Sequence, residues 1–170
     1  GAFVNNLVCG TVRLEPVMDR ATPYHLPHST HIAGYAVIYG GDDRFVGNIF
    51  LDGDAALAYG PAAEGLAPAG YGTAGYNGHP ASFEEYLARI DEQPPGDHQR
   101  FIDVKQPAYI RENVYAAGAH AFEGERDPLR LDEAVTAVLV DEGDAVYLET
   151  QLPDAFARTT VSVVSGQDLE

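Results

Sequence analysis

Phe45-Val-Gly-Asn-Ile-Phe-Leu-Asp-Gly53 sets an aromatic, a β-branched residue, an asparagine, an apolar residue and a closing glycine in one short span. The same order stands at Phe3-Val-Asn-Asn-Leu-Val-Cys-Gly10. It returns more loosely at Tyr109-Ile-Arg-Glu-Asn-Val-Tyr-Ala-Ala-Gly118, where one extra residue precedes the asparagine. Self-similarity at intervals of roughly 20–50 residues is what stacked repeats leave in a sequence. An asparagine at one phase of each repeat suits a parallel β-helix, where asparagines at a bend bond to their own kind above and below. The expected fold class is therefore all-β, with parallel β-helix coils in residues 1–125. Asn6, Asn48 and Asn113 should meet at a common bend.

Upstream of Phe45 lies Thr22-Pro-Tyr-His-Leu-Pro-His-Ser-Thr-His-Ile-Ala-Gly34, with three of the six histidines. Pro23 and Pro27 fix two φ angles, so this loop is stiff and not helical. Ile32-Ala-Gly-Tyr-Ala-Val-Ile-Tyr39 is β-branched and aromatic and ends at Gly40-Gly41, which reads as a strand meeting a turn. Asp42, Asp43 and Arg44 sit at that turn, between two apolar strands, where a rigid scaffold usually carries function. Before the loop, the alternation of Thr11-Val-Arg-Leu-Glu15 places Glu15 on the polar face, either solvated or lining a site.

Downstream, residues 54–80 are rich in Gly, Ala, Pro and Tyr and read as a long loop, of a length that is usually functional or disordered. Tyr59, Tyr71 and Tyr76 either stack on a ligand or pin the loop to the scaffold. Ser82-Phe-Glu-Glu85 is a capping box opening a short amphipathic helix, whose apolar face is Phe83, Tyr86, Leu87 and Ile90, and which Pro94-Pro-Gly96 stops. Ala134–Val140 and Val146–Leu152 flank Asp141-Glu-Gly-Asp144 as a hairpin, and Thr159–Val164 adds a third strand. The organisation expected is coils over 1–125, with the loop and helix inserted at 54–96, and antiparallel strands of a sandwich over 126–170. Both ends read as cuts through a larger protein.

Of 170 residues, 45% are hydrophobic, enough for a core, and the net charge is −16. Lys105 is the only lysine. That balance argues against nucleic acid or an anionic membrane as partner. It fits a protein working in high salt, and equally a GC-rich genome that depletes lysine. Cys9 is alone and reads as a small buried hydrophobe. No apolar run approaches the roughly 20 residues a membrane helix needs, so the chain reads as soluble, with the cytoplasm as the expected compartment.

Ionisable groups narrow the chemistry. Adjacent residues on an extended strand point to opposite faces, so Asp42 and Asp43 do not form a catalytic pair by themselves. One faces a site while the other bonds turn amides or Arg44. His25, His28 and His31 are spaced as helical metal ligands are, but Pro27 forbids the helix; hydroxyl-binding or structural roles are expected, and no metal or cofactor. A polysaccharide lyase would use Arg44 against a uronate, which the acidic composition opposes.

The combination TPYHLPHSTHIAG, YGGDDRFVGNIF and YIRENVYAAGA resembles the later coils of bacterial right-handed β-helix glycoside hydrolases, in particular glycoside hydrolase family 120, the β-xylosidases, where a β-sandwich accompanies the helix. That resemblance implies a retaining glycosidase acting on xylo-oligosaccharides, with an aspartate nucleophile and a glutamate acid/base. Asp43, ahead of Asp42, matches the aspartate; Glu15 and Glu64 are candidates for the glutamate, which a larger protein would otherwise supply. His25, His28, His31, Arg44, Tyr24 and Tyr76 are the candidate sugar-binding groups. An oligosaccharide is the expected partner, with a homo-oligomer open. The alternative is a non-catalytic carbohydrate-binding or structural β-helix module.

Overall fold

The computed structural model describes residues 1–14, 22–25, 30–36, 41–51, 70–94 and 104–157. It is mostly β, with a short helix, and its parallel strands come from the repeated asparagine motif. Strands β1 (Ala2–Val4) and β2 (Leu7–Val8) form the first rung, with β3 (Thr11–Val12) just beyond it. A hairpin of β4 (Thr22–His25) and β5 (Ile32–Ala36) follows, then the second rung, β6 (Asp43–Val46) and β7 (Ile49–Phe50). After β8 (Gly70–Tyr71) and helix α1 (Phe83–Asp91) come the third rung, β9 (Ala108–Arg111) and β10 (Val114–Tyr115), and then β11 (Leu129–Arg130). One parallel sheet runs β1-β6-β9, and a second runs β2-β7-β10-β11.

Register explains the repeat. Phe3, Phe45 and Ile110 are partners, as are Leu7, Ile49, Val114 and Leu129. The third motif therefore aligns through Ile110 rather than Tyr109, and no extra residue precedes its asparagine. Tyr109 pairs with Arg44 instead. A left-handed residue makes the turn in each of the three rungs, Asn5 (φ 55°), Gly47 (64°) and Glu112 (56°), and Asp127 (53°) makes it before β11, between the bridge of Arg126 to Arg111 and that strand, which together form a fourth rung. Such a φ favours Gly and, among the rest, Asn and Asp, so Glu112 is the costliest occupant.

The next residue is the asparagine. Asn48 Oδ1 accepts the backbone N–H and the side-chain amide of Asn6, both at 3.0 Å. Asn113 Oδ1 accepts the same pair of donors from Asn48, at 2.8 and 2.9 Å. Asn48 and Asn113 are wholly buried, which is tolerable because their amide groups are bonded in both directions. At the fourth rung Pro128 holds the asparagine's place, opposite Asn113 by the β10–β11 register. The row is closed by Glu125, whose Oε1 takes the two donors of Asn113.

Between the sheets lies a core of Phe45, Phe50, Tyr76, Ala108, Ile110, Tyr115 and Phe122, with Phe50 and Tyr115 stacked at 5.1 Å. A second cluster joins Leu51, Val114 and Ala116 to Leu131 and Val135, so the segment that follows β11 is packed on the rungs. Helix α1 begins as its sequence requires. Ser82 Oγ accepts the Glu85 N–H at 3.1 Å, while Glu85 reaches back to Ala81 N–H, one residue before the cap. Tyr86 and Ile90 are buried with Val104, but Phe83 and Leu87 are exposed, so half of the expected apolar face is packed. Strands β12 (Ala137–Asp141) and β13 (Val146–Thr150) form the antiparallel hairpin, which carries exposed apolar residues, with Leu139 at 73%. A short helix, α2 (Asp154–Ala157), follows. The expected strand at 159–164 lies outside the described residues. Among those described, no helix is long and apolar enough to cross a membrane.

Candidate active site

The residues read from the Gly-Asp-Asp-Arg turn separate onto two faces. Asp42 takes a left-handed φ of 54° and donates its N–H to Pro107 O, which anchors the turn on the third rung. Its exposed carboxylate accepts from Arg44 Nη1 at 2.9 Å, and the Arg44 guanidinium lies 4.8 Å over the Tyr109 ring. Burial, and after it the nearby Asp42, pushes the Tyr109 phenol up. Asp42 and Arg44 thus satisfy each other on the outer face.

Asp43 begins β6 and turns the other way. Its Oδ2 accepts the Tyr76 hydroxyl at 2.7 Å, and its Oδ1 accepts the amine of Gly1 at 2.8 Å. The side chain keeps 22% of its surface exposed. Neither of these neighbours is a carboxylate. Tyr76 itself is 2% exposed, its ring edge-on to Phe45 at 5.5 Å and to His79 at 5.3 Å. Burial, and after it the hydrogen bond and charge of Asp43, raises the Tyr76 phenol far above its ordinary value, so it stays a donor. His79 Nδ1 lies 2.9 Å from Gln106 O, and burial pushes this imidazole down.

Tyr76 reaches Asp43 because residues 70–80, expected to be loop, are ordered. β8 pairs antiparallel with β3, Gly72 bridges His120, and a 3-10 turn spans Ala74–Tyr76. At Gly72 (φ 87°) a Cβ would stand 2.3 Å from the His120 carbonyl oxygen, so only glycine fits. Thr73 Oγ accepts the Phe122 N–H at 2.9 Å and sits 2.7 Å from the Tyr115 hydroxyl. Tyr115 spends its proton on Glu125, so Thr73 donates to Tyr115. Asn77 and Glu123 add a reciprocal pair, and Arg89 of α1 donates to Gly78 O at 2.8 Å.

The remaining candidates are less fully placed. Tyr24 and His25 lie on β4, where His25 pairs with Ile32 across a bulge; only their backbone is described. His31 is exposed beside that strand end. Glu15, His28 and Glu64 lie outside the described residues. Among the described residues, no cluster of three or more metal-ligating side chains occurs. Sequence reasoning missed Glu125, Tyr115, Thr73 and His79. The pairing of Tyr76 with Asp43 had no local signal, since the two are far apart along the chain.

No protein-family model matches the chain, and no curated protein matches it. A solved structure, described as "The complex structure of XylC with xylose", matches all of it at 44% identity and a TM-score of 0.76. The chain spans 25% of the length of that protein, to which it is similar from end to end.

Proposed function

We propose that the chain is part of a retaining glycoside hydrolase of family 120, built on a right-handed parallel β-helix and acting on β-xylosides. The observation that carries this reading is the full-length likeness to XylC, a protein solved with xylose. The stacked parallel rungs with their asparagine row support the β-helix, and the partly exposed Asp43 supports the chemistry.

Asp43 is the nucleophile. Its carboxylate attacks the anomeric carbon, the glycosidic C–O bond breaks, and a glutamic acid protonates the departing oxygen. The same glutamate then takes a proton from water, which attacks the anomeric carbon and frees both xylose and Asp43. Glu15 and Glu64 are the candidates for that glutamate. His25, His28 and His31 bind sugar hydroxyls beside it.

Asp43→Asn in the full-length protein should abolish hydrolysis of an aryl β-xyloside while leaving the fold and sugar binding nearly intact. Ordinary turnover by that variant removes Asp43 from the role. Of Glu15→Gln and Glu64→Gln, the one that loses far more activity on a poor leaving group than on a good one marks the acid/base.

A further inference from the structure

We propose that Tyr76 is a positioning residue for the nucleophile. Its hydroxyl holds Oδ2 of Asp43, leaves Oδ1 to attack, and stabilises the carboxylate again as it departs from the glycosyl-enzyme. This inference rests on the glycosidase reading above. Two observations carry it. The Tyr76 hydroxyl is 2.7 Å from Oδ2, and of the two roles open to it in the sequence, stacking on a sugar is closed by its burial. Finally, the segment bearing Tyr76 is fixed from several sides, by Gly72 on His120, Thr73 on Tyr115 and Phe122, Asn77 on Glu123, and Arg89 on Gly78. A donor carried by so many anchors is preorganised rather than incidental.

The chemistry acts twice. In the first step the attacking Oδ1 forms its bond to carbon, and Oδ2 becomes the carbonyl oxygen of an ester. In the second, that ester C–O bond breaks and negative charge returns to the carboxylate. A hydroxyl donating to Oδ2 is in place to stabilise the charge as it returns, so its loss should slow release of the sugar from the enzyme most. The titratable and charged groups around the pair are His79 and, acting on His79, Lys105 and Arg89. Burial pushes His79 down and the Tyr76 phenol up.

The experiment uses the full-length protein and an aryl β-xyloside with a good leaving group. Tyr76→Phe keeps the ring against Phe45 and His79 and removes only the donor. Expected are a fall in kcat of about 10- to 100-fold, a larger pre-steady-state burst of the aryl alcohol, and an acid limb of kcat/KM displaced to higher pH. Site-specific replacement of Tyr76 by a fluorotyrosine, a stronger donor of nearly the same shape, should displace that limb to lower pH, and serves if the phenylalanine variant fails to fold. A kcat within twofold of wild type, with burst and acid limb unchanged, overturns the proposal while Asp43→Asn remains inactive. Should Asp43→Asn turn over normally, the glycosidase reading falls and this inference with it.

Discussion

Glu125 does for Asn113 what Asn113 does for Asn48: one oxygen accepts both the backbone N–H, at 3.0 Å, and the side-chain amide, at 2.8 Å. A carboxylate can take that place because both of its oxygens are acceptors. The second one binds the Tyr115 hydroxyl. The row of amides and the polar chain through Thr73 therefore end on the same side chain.

Asn48→Ala should cost roughly 3–5 kcal/mol, since it removes the acceptor of both Asn6 donors, one of the two donors to Asn113 Oδ1 and the side-chain donor to the Phe3 carbonyl, and leaves a cavity in a fully buried row. Asn6→Ala, at the exposed end of the row, should cost under about 1.5 kcal/mol. Urea unfolding of both variants compares them; equal losses would mean that the row is not what holds the rungs together.

Burial raises the Glu125 carboxyl, and the hydrogen bonds from Tyr115 and then Asn113 only partly offset it. A raised folded value gives a contribution that is fully present below the ordinary value of 4.5 and is lost as pH rises through the folded one. Glu125→Gln removes this dependence. The stability advantage of wild type over the variant should therefore shrink as pH is raised from about 4 towards 7. An advantage that grows over that range would reverse the assigned cause.

Gly72→Ala should cost about 3 kcal/mol, combining the left-handed φ with a Cβ driven into the backbone of His120, which has no rotamer with which to yield. Since residues 73–80 follow directly, limited proteolysis should cut that segment sooner in the variant. A protease pattern matching wild type would show that the segment is anchored without Gly72.

With a net charge of −16, self-repulsion should weaken as potassium chloride rises from low to molar concentration, where the screening length falls to about 3 Å. A rise of roughly 5 °C in Tm is expected if the acidity is an adaptation to salt. A flat response assigns it to a GC-rich genome.

The asparagine motif was legible because a buried amide that must bond above and below recurs at fixed phase. The hairpin at 137–150 was legible from two alternating strands and a glycine turn. Misalignment of the third motif has a physical source: Tyr109 is an aromatic in the right neighbourhood, but it serves the outer face, beneath Arg44, while Ile110 fills the inner position. That Asp42 and Asp43 point apart was read from strand alternation, whereas in the structure a left-handed turn at Asp42, just before β6, separates them. For Tyr76 the sequence left open stacking on a ligand or pinning the loop, because composition made residues 54–80 look like loop, and only long-range contacts with His120, Tyr115 and Phe122 order its second half and bury the ring. Glu125 carried no signal at all. It stands before a proline that breaks the motif, and its role exists only once Asn113 needs an acceptor.

The closed row also has a direction. Every side-chain link in it, Asn6 to Asn48, Asn48 to Asn113 and Asn113 to Glu125, is donated the same way, toward Glu125, while each amide also donates to a backbone carbonyl. Aligned peptide-like dipoles place their positive end at the donating terminus, where an acidic group is favoured as it is at the start of a helix. The rungs are thus joined by a short electrostatic series. Polarisation passes along it from bond to bond, so a change of charge at Glu125 should be felt as far as the Asn6 amide, on the opposite edge of the sheet, without any rung changing place.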